Sequence, residues 1–231
     1  VALMTSREKV QRALAHEAGP VPMDFGSTPV SGMHCSCVAG LREYFGLERR
    51  PVTVHEPYQM LGLIEDDLKT ALGIDTDGIA PPGTIFGFSN DAWKPWKTPW
   101  GQEVLVSAAL VTSTSAAGDV LVYPCGDRGA AASGQMPGGG YFFDALIRQP
   151  PLDEEALNPE DNLEEFGPIG EADIGRITSQ LAARAGSTRA CVGVLPGMAL
   201  GDIALVPAPF LKRPRGIRDV AEWYVSTVAR P

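Results

Sequence analysis

Three histidines and four cysteines occur in 231 residues, and one histidine and two cysteines fall in the hexapeptide GMHCSC at residues 32–37. Imidazole and thiolate are the usual zinc ligands, and the thiolate is also the reactive form of cysteine. His34, Cys35 and Cys37 are therefore the first place to look for a metal or redox centre. Their spacing argues against both. On a helix His34 and Cys37 share a face while Cys35 points about 100° away, so at most two of the three reach one ion. No second cysteine pair supplies the other ligands of a four-coordinate site. A disulfide between Cys35 and Cys37 is geometrically unfavourable on a helix. Both cysteines are expected as small packing residues, and no metal is expected in this segment. His34 stays open between a site residue and a hydrogen-bonded structural histidine.

Other residue types suited to acid–base work are Asp24, the pair His55-Glu56 with Tyr58 and Gln59 close behind, and Asp202. A carboxylate can act as a general base or orient a substrate, and histidine titrates in the useful range. Each has a structural alternative. Asp24 can cap a loop, and Glu56 can cap a helix beside Pro57. His16 falls near a helix end, where a solvated histidine favours the dipole. Trp93, Trp96 and Trp100 form either a lid or a packed hairpin, and packing is the simpler reading. The run GQMPGGG (134–140) lacks the Lys-Ser/Thr of a phosphate loop and precedes no helix.

The elements that must position these residues follow from composition and periodicity. The chain is long enough to bury a substantial core. It carries 28 acidic against 19 basic side chains, a formal charge of −9. That balance disfavours nucleic acid and anionic membranes as partners. No run reaches the ~18 apolar residues of a membrane span, and no signal-peptide pattern opens the chain. Four cysteines do not make a disulfide scaffold, so a reducing cytoplasmic setting is expected.

Thr5 stands three residues before Glu8, the signature of a capping box, and Val10 and Leu14 supply a helical stripe. VPMDF (21–25) suits a buried strand, and a helix is expected from about Met33 to Phe45, closed by Gly46. PVTVHE (51–56) reads as a strand, YQMLGLIEDDLKTALG as a helix ended by Gly73, and TDGIA (76–80) as a third strand. From Trp93 to about Asp144 the pattern changes to antiparallel hairpins, with a turn at Gly118-Asp119. A helix follows over EADIGRITSQLAARAG, then a fourth parallel-type strand at 190–195, then a helix over GIRDVAEWYVSTVA. Strand and helix alternate as in a parallel α/β fold.

Four segments, TSREKVQRALAHEAGPVPMDFG, WKPWKTPWGQEV, NLEEFGPIGEADI and GDIALVPAPFLKRPRGIRDVAEWY, together resemble the uroporphyrinogen decarboxylase superfamily, in its methyltransferase-like branch. The resemblance covers nearly the whole chain. It implies an eight-stranded (β/α) barrel of the TIM type, here in part. About the first four βα units would be present, with the antiparallel hairpins at 93–144 inserted. It also implies either a methyltransferase working with a corrinoid protein or small methyl donor, or a decarboxylase of a porphyrinogen-like acidic substrate. The porphyrinogen decarboxylases carry arginines in an Arg-Gln-Ala-Gly-Arg-type segment near the first strand. The corresponding loop here, GSTPVSGMH, has none. That favours methyl transfer, because buried carboxylates of a substrate need cations. The zinc of the thiol methyltransferases is held by His-x-Cys and a distant Cys late in the barrel, and nothing after Cys191 supplies them.

Barrel enzymes build their sites at the carboxyl ends of the strands. The resemblance therefore implies catalytic roles for Asp24, His34, His55 and Asp202 around one concavity, with Glu56, Tyr58 and Gln59 binding substrate. The expected partner is a small molecule or a corrinoid protein, and no cofactor is expected within the chain. Zinc would belong to a later half. With four parallel strands in place of eight, the chain is expected to be part of a longer barrel and inactive alone. A non-catalytic α/β fragment or binding protein is the remaining alternative.

Overall fold

Thr5 opens the first helix, α1 (Ser6–Leu14), through the expected capping box. Its hydroxyl accepts the Glu8 N–H at 3.2 Å, and the Glu8 carboxylate accepts the Thr5 N–H at 2.7 Å. The computed structural model describes residues 4–194 and 202–230. After α1 the expected first strand fails. Residues 21–25 form no strand, and the main chain there meets Asp75 alone, through Asp75 N–H to the Met23 carbonyl at 2.8 Å. Pro22 removes a donor from the middle of the run, which is why the apolar stretch cannot be laddered from both sides.

Among the described residues the strands fall into three small sheets and no barrel. The first has the order β1 (Met33–His34), β3 (Leu61–Gly62), β2 (Val52–Glu56), β6 (Glu103–Ser107), β5 (Trp93–Lys97). Every pair in it is antiparallel except β2 with β6. The second is wholly antiparallel, with order β10 (Asp144–Ala145), β9 (Gly134–Met136), β8 (Val120–Val122), β7 (Thr112–Thr114). In the third, β4 (Thr76–Ile79) and β11 (Ala190–Gly193) pair in parallel. The expected strand extended to Leu195, which lies outside the described residues. The four strands expected in one parallel sheet are thus one unpaired segment, one member of a mainly antiparallel sheet and one isolated pair. This mixed α/β arrangement overturns the partial TIM barrel.

Antiparallel hairpins are present between Trp93 and Asp144. β6 pairs with β2, so the β5–β6 hairpin belongs to the first sheet, while β7–β10 make up the second. The helix expected over 58–73 is mostly something else. The chain turns at Tyr58–Met60, with Met60 at φ 52°, pairs back on β2 as β3, and becomes helical only as α3 (Asp66–Leu72). Gly62 permits that return, since a Cβ there would stand 2.7 Å from Val52 Cγ1 and 3.1 Å from the Cys35 Cα. Alternation on β2 and β6 turns Val52, Val54, Val104 and Val106 inward. They meet Val38 of α2 (Cys35–Tyr44), Ile64, Leu68, Phe86, Phe143 and Met136 in one core. The later helices α4 (Glu171–Ala183) and α5 (Val220–Ala229) bury no residue fully.

Candidate functional site

The α2 helix starts two residues later than its apolar pattern suggests, because Met33 and His34 pair with β3 instead. His34 becomes the N-cap residue. Its Nδ1 accepts the Ser36 N–H at 3.2 Å, so the proton of the neutral ring sits on Nε2, which lies 3.1 Å from the Tyr141 carbonyl and donates to it. The ring is packed by Trp100, Tyr141 and Phe142 at centroid distances of 5.3, 6.1 and 5.9 Å. With both nitrogens engaged, His34 fastens the helix start to the 141–143 segment and has no free lone pair for proton transfer. Cys35 is buried in the core and Cys37 is exposed, so the two thiols leave the helix in different directions. Gln102 secures the same corner. Its Oε1 accepts from Ser36 Oγ at 2.7 Å and from Trp100 Nε1 at 3.0 Å, and its amide nitrogen donates to the Cys35 carbonyl at 3.3 Å.

Beside His34 opens a cleft of about 370 Å³, lined by Gly32, His34, Tyr58, Gln59, Leu61, Phe142, Phe143 and Asp144. That volume is at the small end of the ~300–1,000 Å³ range of small-molecule sites. Neither lysine nor arginine lines it. The Tyr58 ring lies 5.8 Å from Phe86, which in turn lies 5.7 Å from Phe143, so the cleft wall is continuous with the aromatic core. Burial, then the nearby charges of Asp144 and Asp202, push the Tyr58 hydroxyl above its ordinary range. It is therefore a neutral hydrogen-bonding group at physiological pH.

Glu56 sits directly under this edge. It is buried, and no cation bonds it. One carboxylate oxygen accepts the Tyr58 N–H at 3.0 Å, the other the Ile85 N–H at 2.9 Å. Burial pushes its carboxyl up to about 7, against the pull of those two donors. The carboxylate thus holds the turn carrying Tyr58 and Gln59 against the loop carrying Phe86. His55, on the opposite face of β2, does not line the cleft. Burial lowers its imidazole to about 4, and its Nε2 is buried without a partner. Asn90 Nδ2 donates to the His55 carbonyl at 2.8 Å, and the Asn90 Oδ1 is likewise unpartnered.

Of the residues implicated from sequence, His34, Tyr58 and Gln59 line the cleft together, and Glu56 supports it. Asp202 is exposed, caps Ala204 through its carboxylate at 2.9 Å, and acts on Tyr58 only through its charge. Asp24 stands elsewhere. It accepts the Ser27 N–H at 3.4 Å and the Thr76 hydroxyl at 2.7 Å. Burial acts to raise its carboxyl, and the donors of Ser27 and Thr76 more than offset this and hold it low. It is a loop brace between residues 24–28 and β4, so the single concavity expected for Asp24, His34, His55 and Asp202 is not formed. Phe142 and Asp144 belong to the cleft and were missed, since GYFFD offers only a strand-like apolar pattern. A larger trough of about 910 Å³ lies beside α3, but its charges are matched, with Arg50–Glu65 at 2.8 Å, Lys69–Asp77 at 2.9 Å and Arg189–Asp66 at 3.0 Å.

Among the described residues no group of three His, Cys, Asp or Glu could hold a metal ion, and no helix is long and apolar enough to cross a membrane. Neither a family model, a curated protein nor a solved structure matches the chain.

Proposed function

We propose that the cleft between His34 and Asp144 binds a small molecule and that the chemistry served there is methyl transfer. The resemblance of the four segments to the methyltransferase-like branch suggests the reaction class, and the charge of the cleft chooses within it. The observation that carries this choice is that no lysine or arginine lines the cleft while Asp144 does. A decarboxylase of an acidic substrate must hold carboxylates, and a carboxylate without a cationic partner is poorly bound in a half-buried site.

In this reading Tyr58 and Gln59 orient the methyl acceptor by hydrogen bonds, and Phe142 and Phe143 exclude water from one side. His34 fixes the geometry of the cleft without exchanging its proton. Asp144 is the group free to take a proton from the acceptor. A cleft of about 370 Å³ takes a small acceptor and not a corrin ring. The corrin ring therefore stays outside the cleft and presents its methyl group at the mouth, whether free or on a partner protein. The described residues offer no ligand set for zinc.

The test is a spectroscopic titration of the chain with a methylcobamide, in the presence of a small thiol or amine acceptor. Acceptor-dependent loss of the methylcobamide absorption, at least tenfold slower in Tyr58→Phe plus Asp144→Asn, is the expected result. Carbon dioxide release from a polycarboxylate, with no demethylation of the cobamide, would refute it.

A further inference from the structure

We propose that the ligand of the cleft is a small organic ammonium ion. The inference rests on the reading of the cleft as a binding site and goes beyond it by assigning the ligand's charge. Two independent features meet there. One is aromatic: Tyr58 and Phe142 line the opening, Phe142 is 55% exposed, and buried Phe143 closes the floor. Aromatic faces attract cations through their quadrupole, and two or more of them around a cavity select alkylated ammonium groups over neutral ones. The other is electrostatic. Asp144 stands at the lip, Asp202 is close enough for its charge to reach Tyr58, and no cationic side chain lines the cleft.

The polar groups agree with this sign. The His34 Nε2 proton is already given to the Tyr141 carbonyl, so that ring offers no donor to an anion. The remaining polar groups are a carboxylate, a phenol whose oxygen also faces the Ala145 N–H, and the amide of Gln59, which together can accept the N–H donors of an incompletely alkylated amine. An anionic ligand would meet Asp144, with the charge of Asp202 nearby, and no cationic side chain in the lining. The formal charge of −9 on the chain adds a long-range field of the same sign.

The 231-residue chain is titrated at constant ionic strength with tetramethylammonium chloride, with tert-butanol as a neutral molecule of similar shape, and with sodium acetate. Binding is read from saturation transfer to the ligand methyl protons. The expected result is tetramethylammonium binding at least fivefold tighter than tert-butanol, with no detectable acetate. Asp144→Asn should remove most of that preference, and Phe142→Leu should weaken the ammonium ion more than tert-butanol. Binding of tert-butanol as tight as that of the cation, or a preference unchanged in Asp144→Asn, would overturn the ammonium assignment and leave the cleft as a site. No binding by any of the three probes would overturn both readings.

Discussion

Replacing Glu56 by Gln, with His55→Leu as its counterpart, separates two adjacent groups on β2 whose pH dependences oppose each other. Glu56 has its carboxyl raised from 4.5 to about 7 by burial. A group held protonated by the fold contributes stability that is fully present below its unfolded value and is lost as pH rises through the folded one. The gap corresponds to roughly 3 kcal/mol at ~1.4 kcal/mol per pH unit, lost between about pH 4.5 and 7. His55 runs the other way. Its imidazole is lowered from 6.5 to about 4, so its contribution is present above 6.5 and is lost as pH falls through 4, again by roughly 3 kcal/mol.

Between about pH 4.5 and 6.5 the two slopes nearly cancel, and the wild-type chain shows neither. Urea unfolding at half-unit steps from pH 4.5 to 7.5 uncovers them. Subtracting the wild-type profile removes the contribution of the other carboxylates. Glu56→Gln should then gain stability relative to wild type as pH rises, and His55→Leu should lose it, each by ~2–3 kcal/mol across the window. A constant offset accompanies the first variant. The Gln amide nitrogen faces one of the two N–H donors that the carboxylate accepted, which costs about 1–3 kcal/mol at every pH. The slope, not the level, carries the test. Parallel profiles for both variants and wild type would refute the reasoning that burial without a counter-charge governs these two groups.

Gly62→Ala should destabilise the chain by ~1–3 kcal/mol in urea unfolding, because the added methyl meets Val52 and the α2 backbone closer than contact. Arg42→Met should cost about 1–3 kcal/mol in thermal unfolding, chiefly by leaving the Glu48 carbonyl without its donor. The buried guanidinium is also bidentate to Asp67 at 2.9 and 2.8 Å, but Asp67 is partly exposed and keeps Arg50 at 3.3 Å. Gln102→Ala should cost about 1–3 kcal/mol by leaving Ser36 and Trp100 without their shared acceptor, and should shift Trp100 emission as the indole N–H is freed.

What was legible in the sequence was local. The capping box of α1 lies within four residues, the stop of α2 is set by Gly46 at φ 65°, and the turn between β7 and β8 uses Gly118 at φ 90°. Each depends on side chains next to one another in the chain, and each stands where its residues put it. The sheets depend on which strand meets which, and alternation of strand and helix is a weak guide to that. β4 and β11 do pair in parallel, but more than a hundred residues apart, and nothing in their sequences excluded β2 from joining them.

The site shows the same division more sharply. Tyr58 and Gln59 were implicated because they follow a strand whose carboxyl end was expected to face a barrel mouth. They line a cleft for another reason. Glu56 is turned inward by the alternation of β2, and its carboxylate captures the Tyr58 N–H, so the chain reverses at once instead of entering a helix. That reversal makes β3, and β3 holds Met33 and His34 out of α2, which brings the imidazole to Tyr141. One buried carboxylate therefore accounts for both the lost helix over 58–65 and the position of His34. The periodicity Leu61, Ile64, Leu68 reads as a helical face, yet the same residues are equally buried by a two-residue strand, a bend and a short helix. The acceptor capacity of Glu56 and the absence of a Cβ at Gly62 distinguish the two, and the burial of Glu56 is a property of the assembled core.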